Sequence, residues 1–213
     1  MPLLLKYSQL IRLIDKGESQ TLDFKRKITQ ASKIAKTLAS FANTKGGRIL
    51  VGVSDDRQII GVDPEEERFA MNQAAKFYCE PPLELNYLCV EDTYGNNILV
   101  VEIPESNEKP HYVLLPNKEK KVYVRMNDKS VLAGEMLIKN MEKGVVKKSL
   151  GKLDTQHQTL KTYLDEFEKI TVKQYAKLCN FSERRARRIL IEMTQSGFLL
   201  FHDFDKENFY SLA

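Results

Sequence analysis

Cysteine and histidine are both scarce and scattered. Cys79, Cys89 and Cys179 lie far apart, with no C-x-x-C pair. A disulfide framework or a thiolate zinc site is therefore excluded, and reduced core thiols of a cytosolic protein are expected. His111, His157 and His202 are as dispersed, so no histidine-built metal site is visible. No apolar run approaches the ~20 residues of a membrane span, and Met1-Pro2-Leu3-Leu4-Leu5-Lys6 is too short for a signal sequence. Both point to the cytoplasm, with no membrane partner. Internal repeats and low-complexity segments are missing as well. Charge of one sign is barely in excess, since 33 basic against 29 acidic side chains give +4. That total does not argue for a polyanion partner, so what matters is where the basic residues lie.

The 213 residues are 42% hydrophobic, enough for one large or two small folded domains. Ser8 can cap a short amphipathic helix that stops at Gly17. Thr21–Lys25 alternates as a strand does. Ile34, Leu38, Phe41 and Ala42 form the buried stripe of a helix over 31–43, ended by Gly46-Gly47. Arg48–Val53 is a β-branched run suited to a central strand. Asp55-Asp56-Arg57 would turn the chain so that 58–62 pairs back as a hairpin. A helix over 65–78, strands over 85–91, 98–103 and 121–125, and a helix over 131–141 complete the pattern. Hairpin-joined strands with interspersed helices predict an α+β domain over residues 1–142. A linker over 143–154 then leads to a second domain at 155–213.

In that second domain Thr171 caps one helix, and Ser182, after Asn180-Phe181, caps another that Gly197 stops. Phe198–Phe201 and Asn208–Leu212 bracket the polar turn Asp203–Glu207. The order helix, helix, tight turn, helix, hairpin resembles a winged helix-turn-helix. Its second turn-helix carries Arg184, Arg185, Arg187 and Arg188 in its first two turns. A recognition helix brings its N-terminal residues to the major groove. Arginine pairs bidentately with guanine there, or neutralises phosphates. A solvated basic face or a protein-docking surface is the alternative, and the acidic turn at Asp203, Asp205 and Glu207 disfavours close phosphate contact at the wing.

Four segments of the first domain occur together: Glu18–Lys25 with its Asp23-Phe24-Lys25 end, Ser40–Asp55 with Phe41-Ala42-Asn43-Thr44-Lys45-Gly46-Gly47, Lys109-Pro110-His111-Tyr112, and Val122-Tyr123-Val124-Arg125. In order and spacing they resemble the Schlafen-type AlbA_2 domain of bacterial regulators, over about residues 15–140. The resemblance implies a mixed or antiparallel sheet with flanking helices. It also implies nucleic-acid association, often with a C-terminal winged helix in regulators of transcription. An ATP-binding label attached to such proteins finds no G-x-x-x-x-G-K-[ST] loop here, and Gly46-Gly47 is better explained by a sharp helix-to-strand turn.

In animal relatives the same motif positions include a carboxylate triad for RNA cleavage. Those positions are Glu18, Asp23 and Asp55, with Lys25 adjacent and Asp56 a substitute for Asp55. Such a cluster would take Mg²⁺ or Mn²⁺ as its cofactor. Asp23 stands where the pattern usually has Glu, a carboxylate one methylene shorter. Surface exposure for Glu18, an ion pair of Asp23 with Lys25 or Arg48, and a turn role for Asp55 are the structural alternatives.

Lys25, Lys45, Arg48 and Arg125 are the candidate nucleic-acid contacts of this domain. For Arg125, at a strand end, an ion pair with a nearby carboxylate is favoured over a phosphate. Asn43, near a helix C-terminus, is expected to adopt a left-handed conformation or bond local carbonyls. Lys109–Tyr112 is either a phosphate-facing lip or a loop packed on the sheet. Taken together these readings make the chain a DNA-binding regulator of transcription that needs no cofactor and works as a homodimer on double-stranded DNA. RNA is a second candidate partner and a metal-dependent endoribonuclease the alternative.

Overall fold

The computed structural model describes residues 5–143, 155–195, 198–202 and 208–212. The chain divides into two compact units, Met1–Val131 and Leu132–Ala213. The helix expected to close the first domain packs on a strand of the second unit. The expected linker lies almost wholly outside the described residues.

Unit 1 is a mixed α+β structure. Helix α1 (Tyr7–Lys16) opens with the Gln9 Oε1 accepting from Lys6 N at 2.9 Å, so Ser8 lies inside the helix and is not its cap. Strand β1 (Leu22–Lys25) is followed by α2 (Ala31–Ala42), β2 (Gly47–Val51) and α3 (Pro64–Phe77), which Asp63 caps by accepting from Glu65 N and Glu66 N. Next come β3 (Cys79–Glu80), β4 (Asn86–Glu91), β5 (Asn97–Ile103), β6 (Tyr112–Leu114), β7 (Lys120–Met126) and β8 (Lys129–Leu132). One sheet runs β1-β2-β5-β4 and the other β3-β6-β7-β8.

The first sheet is buried on both faces, and side-chain alternation explains how. On β2 and β5, Ile49, Val51, Leu99, Val101 and Ile103 face the α2–α3 side. Leu50, Ile98 and Val100 face the α1 side with Leu10, Ile14, Leu22 and Phe24. The expected hairpin from β2 into 58–62 shrinks to a single bridge, Val53 to Ile59. β2 pairs in parallel with β1 across the α2 crossover and antiparallel with β5. The strand order therefore follows burial and not sequence adjacency. A β8 strand also takes the first residues of the helix expected at 131, and α4 runs Glu135–Glu142.

In unit 2, α4 packs on strand β9 (Leu199–His202), which pairs antiparallel with β10 (Phe209–Leu212). Helices α5 (Thr155–Phe167), α6 (Val172–Cys179) and α7 (Glu183–Gln195) complete it. Leu160, Leu164, Tyr175, Ala186, Leu190, Met193, Leu199 and Tyr210 form one core. Ile170 joins the hairpin, exchanging both backbone hydrogen bonds with Tyr210 at 2.8 and 2.9 Å. Residues 203–207, the acidic turn expected between the two strands, and Gly197 lie outside the described residues.

No helix among the described residues is long and apolar enough to cross a membrane. The three cysteines are free, but only Cys79 is a core thiol; Cys89 is exposed and Cys179 half-buried.

Candidate nucleic-acid interface

The Phe41–Gly47 segment fastens the β3-β6-β7-β8 sheet to α2. Asn43 is buried in ordinary right-handed geometry, with φ −73°. Its Nδ2 donates to the carbonyls of His111 and Tyr123, both at 2.9 Å, and its Oδ1 accepts from His111 N at 2.7 Å. The expectation of a left-handed residue bonding local carbonyls is thus replaced by a long-range tether. Its partners lie 68 and 80 residues away, beyond any local pattern. Thr44 adds a second fastening, accepting from Arg125 N at 2.8 Å through Oγ1 and donating to Ser40 O. A side chain on Gly47 would stand 2.5 Å from the Phe41 ring, and one on Gly46 would stand 2.6 Å from the Glu105 amide. Packing alone demands both glycines.

The Lys109–Tyr112 loop closes over this segment. Lys109 Nζ donates to Thr44 O at 2.8 Å and to Glu105 Oε1 at 2.6 Å. The His111 ring is buried between Pro81 O and Ser106 Oγ, at 2.8 and 2.6 Å, and burial lowers its pKa. The loop is packed structure rather than a phosphate-facing lip.

Arg125 is corrected as a nucleic-acid contact: it is 1% exposed. Its Nη2 donates to Asp23 Oδ1 at 2.8 Å and its guanidinium lies 4.5 Å from the Phe41 ring centre. Asp23 alternates with Leu22 and Phe24 along β1, so it points away from the α1 side and toward this arginine. Its other oxygen meets Lys25 Nζ at 2.5 Å. That occupies Lys25 as well, whose ammonium also donates to Phe24 O.

Of the carboxylates proposed for catalysis, Glu18 lies close enough to Asp23 to feel its charge. Its Oε1 accepts from Phe24 N at 2.8 Å. Desolvation raises its pKa, that hydrogen bond lowers it, and the Asp23 charge raises it further. Asp55 and Asp56 stand exposed in the turn after β2. Among the described residues no three His, Cys, Asp or Glu side chains form a group able to hold a metal ion.

Lys45 and Arg48 do come together. With Lys16 they line a groove of ≈ 520 Å³, together with Leu13, Ile103 and the acidic Glu102. Lys16, at the last turn of α1, was not singled out from the sequence; its side of the groove is formed only by folding. Arg48 is engaged across the sheet by Glu102, its register partner, at 2.6–2.7 Å. Lys45 is exposed and reaches Gln20 Oε1 at 3.5 Å.

The arginines of α7 sit differently. Thr171 and Gln174 close a capping box on α6, and Asn180 ends that helix at φ 52°, ψ 48°. After Phe181, the Ser182 Oγ accepts from Arg185 N at 3.3 Å and opens α7. Ala186, Leu190 and Met193 bury one side. Arg184, Arg185, Arg187 and Arg188 are all exposed, as are Lys173 and Lys177 on α6. Of the sequence candidates, Lys25, Arg48 and Arg125 are thus tied within unit 1, whereas Lys45 and the four arginines of α7 are exposed.

Residues 18–134 match the family model described as Schlafen, AlbA_2. The chain belongs to that family, and membership points to a nucleic-acid-related role. No curated protein matches the chain. Among solved structures, it is similar to the N-terminal domain of a RecG-related protein from Nitrosomonas europaea, at 21% identity and a TM-score of 0.45, covering 53% of this chain and 83% of that one. It is also similar to the DIP2311 protein from Corynebacterium diphtheriae, at 19% identity and a TM-score of 0.41, covering 59% of this chain and 29% of that one.

Proposed function

We propose that this protein is a DNA-binding regulator of transcription whose second unit is a winged helix-turn-helix that docks α7 in the major groove. The observation that carries this reading is the set of four exposed arginines on the first two turns of α7, directly after the tight turn at 180–182. Helix α6 would cross the sugar-phosphate backbone with Lys173 and Lys177, and the β9–β10 hairpin would form the base of the wing. The Lys16–Lys45–Arg48 groove supplies a second, sequence-independent surface for phosphates. Two copies of the chain would place two such helices on a two-fold operator.

A salt titration on labelled duplex DNA and on single-stranded RNA, with and without Mn²⁺, tests this. Duplex affinity should fall linearly with salt on a log–log scale while the nucleic acid stays intact. Replacing all four α7 arginines by alanine should remove most of that affinity. Duplex binding by that variant as tight as wild type would sink the reading. RNA cleavage that requires Mn²⁺ and disappears in Glu18→Ala would make unit 1 the active part instead.

A further inference from the structure

The four arginines of α7 are not equivalent, and we infer that Arg184 and Arg188 each read a guanine while Arg185 and Arg187 hold the phosphate walls of the groove. This rests on the DNA-binding reading above and deepens it to named bases. Helical geometry sets the first division, since successive residues turn by about 100°. The buried side is centred on Ala186, Leu190 and Met193. Arg184 and Arg188, one turn apart, lie on the ridge opposite it. Arg185 and Arg187 lie on the two flanks.

Side-chain contacts set the second division. The Arg185 guanidinium stacks over the Phe181 ring, 4.0 Å from its centre. That draws it back toward the α6–α7 turn, where the backbone of the duplex would pass. On the opposite flank the Arg187 charge is felt by the Tyr210 hydroxyl of β10, which sets it toward the hairpin. Among the described residues Arg188 has a 3.8 Å pair with Glu192, both side chains well exposed. Such pairs are worth little and release readily. Arg184 and Arg188 are therefore the two exposed guanidinium groups placed to extend along the outer ridge.

The major groove is ≈ 12 Å wide, so a helix seated in it turns its ridge to the base edges and its flanks to the two phosphate chains. Four residues of α-helix rise about 6 Å. That is roughly two base-pair steps of about 3.4 Å each. Arginine's bidentate partner is the O6/N7 edge of guanine. The ligand is accordingly a duplex half-site with two G·C pairs separated by one intervening pair.

The test is selection from a random duplex pool followed by affinity measurement at several salt concentrations. It uses full-length wild type, Arg184→Gln, Arg188→Gln, Arg185→Ala and Arg187→Ala, each checked for native circular dichroism. The wild-type pool should be enriched in two G·C pairs in that spacing. Each glutamine variant should change the preference at one of them, toward A·T, since glutamine's partner is adenine. Affinity for the selected site should fall about 5- to 150-fold while affinity for random duplex barely changes. Arg185→Ala and Arg187→Ala should weaken both duplexes alike and lower the salt slope by about one. Salt-sensitive wild-type binding with no enriched sequence, or with a preference untouched by both glutamine variants, overturns this division and leaves the DNA-binding reading standing. No duplex binding by wild type at low salt overturns both.

Discussion

Arg125 and the arginines of α7 are the same side chain in opposite surroundings. Arg125 is enclosed, its guanidinium shared among Asp23, the carbonyls of Ser19 and Leu22, and the face of Phe41. In α7 the guanidinium groups project from a helix whose other side supplies the core. A buried cation held by a carboxylate, carbonyls and a ring face orders the fold around it and is out of reach of a ligand. An exposed cation contributes almost nothing to the fold and keeps its charge available to a phosphate or a base. The motif arginine that family resemblance brings forward is thus architectural, whereas the exposed arginines of α7 are the ones the proposed interface would use.

The largest expected effect comes from breaking the buried pair. Arg125→Met leaves Asp23 buried with only Lys25, itself part-exposed and screened. Removing one partner of such a pair costs about 3–5 kcal/mol. Burial pushes the Cys79 thiol up to about 12 and encloses it in the α2–α3 core. Its reaction with a thiol reagent therefore reports the opening of unit 1. Cys79 should label much faster in Arg125→Met, and Asp23→Leu/Arg125→Met should return toward wild type because no lone charge remains. A single variant destabilised by less than 1 kcal/mol in urea would mean that Arg125 is not the pin described here.

A buried cation site has a counterpart in unit 2 that must stay uncharged. His202 is fully buried on β9, with Nε2 2.9 Å from Ser211 Oγ and its ring stacked on Phe209. Burial lowers its pKa to about 4. The unfolded chain takes up that proton near pH 6.5, so between those values the unfolded state binds more protons than the folded one. The contribution of His202 to the stability of unit 2 is therefore level above about pH 6.5 and declines as pH falls toward 4, by on the order of 3 kcal/mol. Burial also lowers the His111 pKa in unit 1, so the readout must be local. Protection factors of the β10 amides, which remove the intrinsic pH dependence of exchange, should fall as pH drops through this window and stay level in His202→Phe. An unchanged slope in that variant would assign the effect elsewhere.

What could be read in advance was whatever periodicity governs. The two-faced burial of β2, the stripe of α2, the Thr171 and Ser182 caps, and the exposure of the α7 arginines all follow from spacing along one element. The parallel β1–β2 pair was not legible, because adjacency suggested a hairpin while burial of Ile49, Leu50 and Val51 demanded neighbours on both sides. Strands of two and three residues, β3 and β6, carry no period at all. The Asn43 and Thr44 fastenings and the Asp23–Arg125 pair link residues 68 to 102 positions apart. The motif was recognisable from sequence; its reason, a clamp between α2 and a second sheet, required the fold.

The smallest expected effect is also the one that most sharpens the contrast. Exposed substitutions away from caps and cores usually stay within about 0.5 kcal/mol, and alanine is at least as good a helix former as arginine. Arg184→Ala, Arg187→Ala and Arg188→Ala should therefore leave the urea midpoint of unit 2 nearly unmoved. The Arg188–Glu192 pair is too long and too exposed to register. Arg185→Ala should be the exception, because its guanidinium covers the Phe181 ring at the turn. A contact of that kind at an exposed site is worth about 0.5–1 kcal/mol. Losses well above this at Arg184 or Arg188 would make those side chains structural, as Arg125 is, and the contrast between the two units would fail at the residues on which the proposed DNA contact rests.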